Sequence, residues 1–146
     1  MLDDLNDDPR VTWTKDVLRF GDTDAFGHVN NAVFATLCES GRVALFRTRL
    51  GESLPPGAFW VIARLAIDFR AELHYPGEVR TGTWPTRLGR SSLTFEQVLV
   101  SNGAPAATAE SVCVLMAAQT RRPTALPDAT RRIVEGLLRP PMGSAG

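Results

Sequence analysis

The pattern of apolar and polar positions divides the chain into one long helix and about five strands. Over residues 31–50, apolar side chains recur at helical spacing on a broad face, and Gly51 follows as the expected end of the helix. From residue 59 the period changes to two, so that Val61, Leu65 and Phe69 fall on one face of a predicted strand. Further strands are predicted at 11–20, 79–88, 92–100 and 106–118, and a short surface helix at 128–138.

Short turns between the later strands favour an antiparallel meander. Pro76-Gly77 and Gly89 break the pattern, and Asn102-Gly103 suits a type I′ hairpin turn. A helix with so broad an apolar face needs a sheet that wraps it. We therefore predict an α+β domain, a curved antiparallel sheet of about five strands around one long central helix. The domain is placed at 11–138, between a frayed acidic lead-in at 1–10 and a flexible C-terminal tail at 139–146.

A single sheet around one helix leaves an outer face and edges that need covering. The small residues Ala107, Ala109 and Ser111 on the last strand are the predicted contact surface for another subunit. We expect a homodimer or a homotetramer.

Composition narrows the class of protein. The 146 residues carry no formal net charge, which argues against nucleic acid or a membrane surface as the main partner. Cys38 and Cys113 are too far apart for a metal knuckle or a redox pair, so a reduced, cytoplasmic setting is expected. No secretory signal and no apolar run of roughly 20 residues is visible in the sequence.

The candidate chemistry lies in the polar turn before the long helix, within the segment FGDTDAFGHVNN. The free N–H groups of a helix N-terminus favour negative charge, and Asn30 or Asn31 stands where the N-cap is expected. A carboxylate just ahead of that helix can activate water as a general base or attack a carbonyl directly. The sequence leaves these two routes open for Asp24.

The same turn matches the start of a calcium loop, with Asp22, Asp24 and Gly27 at the first, third and sixth positions. Phe26 and Val33 then stand where oxygen ligands are needed, so the sequence predicts no metal site. No cofactor is predicted either. Cys38 lies more than two turns into the helix, about 10 Å or more from His28, and is expected in the core rather than as a nucleophile.

The segment FGDTDAFGHVNNAVFATLCESGR resembles the signature of hot-dog-fold acyl-CoA thioesterases of the 4-hydroxybenzoyl-CoA thioesterase type. Weaker similarities follow in the same order at 75–77, 88–92, 120–123 and 126–127, so that the resemblance covers about residues 12–135. It implies hydrolysis of an acyl- or aroyl-CoA to the free acid and CoA. It also implies Asp24 as the catalytic carboxylate and the backbone N–H near Asn31 as the oxyanion donor. Plant acyl-carrier-protein thioesterases are similar at His28, but carry an asparagine where this chain has Phe26.

The remaining site residues have structural interpretations beside the functional ones. Asp22 is expected in a structural turn role, and His28 as a general acid, a substrate clamp or a partner of a backbone carbonyl. Gly27 permits positive φ or close approach of the thioester. Glu39 either pairs with Arg42 on one helix face, or faces the acyl pocket or orients water. The CoA phosphates are expected at arginine and serine side chains that are otherwise solvated: Arg90, Ser91, Ser92, Arg121 and Arg122.

Two alternatives to a thioesterase belong to other functional classes. One is a non-catalytic module on the same fold that binds acyl- or aroyl-CoA without turnover. The other is a hot-dog dehydratase, which needs a paired histidine and acid and fits Phe26 less well.

Overall fold

Five strands pair into one antiparallel sheet in the order β1-β3-β4-β5-β2, and the central helix α2 packs on one face of it. The computed structural model describes residues 2–142. The strands are β1 (Thr12–Val17), β2 (Phe59–Phe69), β3 (Glu78–Leu88), β4 (Ser92–Ser101) and β5 (Ala104–Met116). The helices are α1 (Leu2–Asn6), α2 (Asn31–Leu45) and α3 (Asp128–Leu137). The predicted α+β arrangement and the Asn102-Gly103 hairpin, with both residues at positive φ, are confirmed.

Helix α2 is held close to the sheet at Gly41. A Cβ atom there would lie 2.7 Å from Gln97 Nε2 and 2.7 Å from Thr83 Oγ1, so only glycine allows this approach. The helix predicted over 31–50 consists of α2 and a π-helical turn, and Gly51 follows it directly. Gly51 has a φ of −49°, and the chain continues from α2 through a π-helical turn (Phe46–Leu50) into a 3-10 turn (Gly51–Ser53).

Strand β2 contains a bulge that the alternating sequence pattern does not reveal. Its register shifts between Ile62 and Arg64, so Ile62 lies opposite Cys113 and Leu65 lies opposite Ser111. Directly opposed residues share a face of the sheet. The face toward α2 therefore carries Ile62 and Leu65, whereas the prediction placed Val61 and Leu65 together. A bulge adds one residue and reverses the alternation beyond it.

The predicted contact surface on the last strand is wrong, because β5 lies between β4 and β2 inside the sheet. Ala107 and Ser111 are fully buried within one chain, and Ala109 is 4% exposed. The sheet edges are β1 and β2. Strand β2 exposes large apolar side chains at its edge, namely Val61 (37%), Ile62 (48%) and Phe69 (50%).

The segments at the two ends of the described range, 2–142, pack on the domain. The expected frayed lead-in is the short helix α1, with Leu5 fully buried. Asp8 accepts hydrogen bonds from Arg10 and, at 2.9 Å, from Arg139 Nε, so the segment after α1 is tied to the segment after α3. Residues 143–146 of the expected flexible tail lie outside the described residues. Among residues 2–142, no helix has the length and apolar character needed to cross a membrane.

Candidate active site

Asp22 anchors the turn that leads to α2. Its carboxylate accepts hydrogen bonds from the Arg19 backbone N–H at 2.8 Å and from Arg19 Nη2 at 3.0 Å. These bonds, the backbone one first, hold the pKa of the Asp22 carboxyl below its usual range. The Asp22 carbonyl also accepts the N–H of Asn30 at 2.9 Å. The expected structural role of Asp22 is confirmed.

Asp24 sits on a tight reverse turn between Thr23 and Val29, which form an antiparallel bridge. One oxygen, Oδ1, accepts the N–H of Phe26 at 2.9 Å, the bond of an Asx turn. The other oxygen makes no hydrogen bond among the described residues, and the side chain is half-buried. Gly27 has a φ of 86° and open space where a Cβ would be, so the turn needs glycine for its backbone conformation.

The N-terminus of α2 has one free amide in its first turn. Asn30 is the N-cap: its side-chain oxygen accepts the N–H of Ala32 at 2.8 Å, and its carbonyl accepts the N–H of Val33 at 2.9 Å. Asn31 occupies the first helical position, where no intrahelical partner exists, and its N–H makes no hydrogen bond within residues 2–142. This amide can stabilise a developing oxyanion.

A cleft of about 300 Å³ opens at this helix end, which we call the helix mouth. Its walls include His28, Asn31 and Glu72, together with the edge-to-face ring pair of Phe34 and Phe69, whose centroids are 5.0 Å apart. Asp24 does not form part of these walls in the single chain. It lies beside them, because its N–H donates to the His28 carbonyl at 3.1 Å.

His28 is placed by a backbone contact. Its Nδ1 lies 3.2 Å from the Val29 carbonyl, which makes Nδ1 the donor, and its Nε2 lies 3.9 Å from Glu72 Oε1. Glu72 also approaches His74 Nε2 at 3.2 Å. The sequence prediction missed Glu72. This residue follows β2 in the chain and lies at the start of α2 only in the folded structure. Its one local signal is its position two residues before His74.

Glu39 and Arg42 do not pair, so the ion-pair interpretation is wrong. Within the described part of the chain, Arg42 makes no ion pair, and its Nη1 donates to Gln97 Oε1 at 3.3 Å. Glu39 is exposed, and Arg42 is 5% exposed. Both line a second cavity, against Phe46 and Trp60, which is not the cleft next to Asn31. The acyl-pocket interpretation of Glu39 stays a prediction.

The five residues predicted to bind CoA phosphates lie together, but far from the helix mouth of the same chain. The Ser91 carbonyl accepts the Leu115 N–H, and Arg121 stacks over the Phe59 ring, 5.0 Å from its centroid. Phe59 and Phe69 are at opposite ends of β2, separated by roughly 30 Å of extended strand. The five predicted residues, which lie at the Phe59 end, are Arg90, Ser91, Ser92, Arg121 and Arg122.

Comparison with known proteins identifies the family. The family model of the thioesterase-like superfamily matches residues 18–134. The chain belongs to that superfamily. It is 30% identical to a 1,4-dihydroxy-2-naphthoyl-CoA hydrolase of Synechococcus elongatus, over 77% of this chain and 86% of that protein.

Solved structures agree with the family assignment. A thioesterase from Thermus thermophilus, complexed with coenzyme A and Zn, is 35% identical with a TM-score of 0.77, covering 90% of this chain and 97% of that one. A predicted thioesterase from Bacillus stearothermophilus has a TM-score of 0.82 at 28% identity, covering 90% and 98%. The expected hot-dog fold and the expected class, a thioester hydrolase, are confirmed.

Proposed function

We propose that this protein hydrolyses the thioester of an acyl- or aroyl-CoA, with the reaction at the helix mouth. The observation that carries the proposal is the free Asn31 N–H at the start of α2, directly beside the turn that presents Asp24. The thioester oxygen gains negative charge as water adds to the carbonyl, and the Asn31 amide at the positive end of the helix dipole stabilises that charge.

Asp24 is the proposed carboxylate. The Phe26 N–H fixes one oxygen, which leaves the other to take a proton from water or to attack the carbonyl carbon. If water is activated, Asp24 takes its proton as the C–O bond forms. The C–S bond then breaks, and the CoA thiolate leaves and is protonated. His28, with Nδ1 held by the Val29 carbonyl, presents Nε2 toward Glu72 and is the proposed substrate clamp or acid.

We favour an aroyl group over a fatty one. The ring pair of Phe34 and Phe69 lines the cleft next to Asn31, and edge-to-face packing of this kind accepts a further aromatic ring. The similarity to the 1,4-dihydroxy-2-naphthoyl-CoA hydrolase of Synechococcus elongatus supports the same class of acyl group.

We propose that the active unit is a homo-oligomer joined through the edge of β2, in place of the β5 surface. An unpaired edge with exposed Val61 and Ile62 is an aggregation hazard unless another strand covers it. A two-fold axis pairs identical strands antiparallel, which sets the Phe59 end of one β2 beside the Phe69 end of the other. The phosphate-binding arginines of one copy then lie near the helix mouth of its partner, and a dimer is the smallest assembly that does this.

A substrate panel tests the proposed function. Thiol release is measured with benzoyl-CoA, 1,4-dihydroxy-2-naphthoyl-CoA and decanoyl-CoA, at matched concentrations. We expect the highest kcat/KM with an aroyl-CoA. Faster turnover of decanoyl-CoA would reject the aroyl preference, and absence of thiol release from all three would count against hydrolysis of these esters.

A further inference from the structure

The face of the sheet that points away from α2, which we call the outer face, carries an apolar cluster of its own. Gln97 of β4 points toward α2, because its Nε2 donates to the Cys38 carbonyl at 2.8 Å. Side chains alternate along a strand, so the neighbouring Val98 points the other way. The outer cluster consists of side chains that are at most 6% exposed: Leu5, Val11, Trp84, Val98 and Val100.

Two short segments cover this cluster, and neither can be stable by itself. Helix α1 has five residues, whereas an isolated helix shorter than about 12–15 residues is marginal in water. Residues 138–142 follow α3 and form neither helix nor strand, although Met142 packs against the cluster. Each segment therefore depends on its contacts with the rest of the domain.

Each segment is bonded to the outer face through a tryptophan indole. The Trp13 Nε1–H donates to the Leu5 carbonyl at 3.3 Å, and the Trp84 Nε1–H donates to the Pro140 carbonyl at 3.2 Å. Arg139 also lies over the Trp84 ring, 5.2 Å from its centroid. The two indole N–H groups thus report separately whether α1 and residues 138–142 are in place.

One carboxylate joins the two segments. Asp8 accepts a hydrogen bond from Arg10 Nη2 at 2.8 Å and another from Arg139 Nε at 2.9 Å. Arg10 Nη1 in turn donates to the Leu138 carbonyl at 3.1 Å. The side chains of Asp8 and Arg139 are 10% and 18% exposed, so their charge-assisted bond is screened little by salt. Release of either segment breaks bonds that hold the other.

We propose that α1 and residues 138–142 form one clasp over the outer face, which opens and closes as a unit with Asp8 as its latch. The open clasp bares Trp84 and Val98, while α2 and the helix mouth, on the other face of the sheet, keep their structure. Local opening of this kind costs less free energy than global unfolding. The clasp is a conformational device that does not rest on the proposed thioesterase reaction.

Hydrogen exchange of the indole N–H groups, followed by NMR on the full-length 15N-labelled protein, tests the proposal. Trp13 reports on α1, Trp84 reports on residues 138–142, and Trp60 of β2 lies outside the clasp and is the internal reference. Arg139→Gln removes the latch contact from the C-terminal side. We expect exchange to rise roughly 10- to 100-fold at Trp84 and also at Trp13, the range for losing a charge-assisted hydrogen bond.

Leu5→Ala tests the same coupling from the N-terminal side, and it should raise exchange at Trp84 at least about tenfold. Asp8→Asn removes the charge of the latch itself and should raise exchange at Trp13 and Trp84 together. The matched control is Arg132→Gln, on an exposed arginine of α3, which should exchange like the wild type.

Faster exchange at Trp84 alone in Arg139→Gln would show that the two segments are held independently, and it would overturn the proposal. Wild-type exchange at both indoles in Asp8→Asn would overturn it as well. An equal rise at Trp60 would mean that the variants unfold globally instead of opening the clasp, which also contradicts the proposal.

Discussion

The side-chain oxygen of Asn30 accepts the N–H of Ala32 at 2.8 Å, and this bond determines which amide of α2 stays free. With Val33 N–H bonded to the Asn30 carbonyl, the Asn31 amide is left pointing out of the helix end without a partner in residues 2–142. The cap therefore stabilises the helix and also singles out one donor for the proposed oxyanion site.

Asn30→Ala should lower the free energy of unfolding by about 1 kcal/mol, the usual cost of losing an N-cap side chain. Urea denaturation measures the change. Asn30→Asp, which keeps an acceptor oxygen, is the control and should stay within a few tenths of a kcal/mol of the wild type. Equal stability of the alanine and aspartate variants would show that the cap bond contributes little.

Gly41→Ala should destabilise the protein by about 1–3 kcal/mol, because its Cβ would lie 2.7 Å from Gln97 Nε2 and Thr83 Oγ1 and force α2 off the sheet. The matched control is Gly136→Ala on the exposed side of α3, where a Cβ meets nothing within 4 Å. Alanine is the better helix former by up to about 1 kcal/mol, so this variant should be slightly more stable than the wild type. Thermal unfolding of the two variants gives opposite signs if the account of α2 packing is correct.

Glu96 should make the protein less stable as the pH rises toward neutrality. Burial, then the charge of Glu110 opposite it across the strands, raises the pKa of Glu96 from 4.5 to about 7. Between these two values the folded state binds a proton that the unfolded state has lost, so the free energy of unfolding falls with pH and levels off above about pH 7. Glu96→Gln should remove this slope and raise the stability at pH 8.

Urea denaturation at pH 5, 6, 7 and 8 measures the slope for Glu96→Gln, with Glu135→Gln on an exposed glutamate of α3 as the control. Parallel pH profiles for Glu96→Gln and the wild type would contradict the raised pKa.

The fold was predictable because each element carries its own periodic signal. Helix α2 and strands β2 to β5 follow from spacings of 3.6 and 2 residues and from turn pairs such as Asn102-Gly103. The bulge after Ile62 was not predictable from the sequence. One inserted residue leaves the alternating pattern of apolar side chains visible in the sequence, although it changes which face they occupy. The interior position of β5 also depends on strand order, which no local pattern encodes.

The parts of the site formed by sequence neighbours were predictable. The parts formed by residues that tertiary packing brings together were not. Asp22, Gly27 and the N-cap lie in one short segment, so their structural roles follow from turn and helix-capping chemistry. The catalytic role of Asp24 stays a prediction. Arg42 was misread because an i,i+3 carboxylate on a helix is normally its partner, whereas tertiary packing turns this guanidinium inward to Gln97. Whether the arginines predicted to bind CoA phosphates serve the same copy or a partner likewise depends on the assembly, which no local pattern encodes.

Asp24 is the group proposed to activate water or to attack the thioester. The direct test is kcat/KM for Asp24→Asn on the best substrate of the CoA-ester panel. Asp7→Asn, on an exposed aspartate of the N-terminal segment, is the control, and urea denaturation checks that both variants fold. We predict a fall of at least about 100-fold for Asp24→Asn and none for the control, as expected for the loss of a general base or nucleophile. A folded Asp24→Asn variant with wild-type kcat/KM would contradict the account.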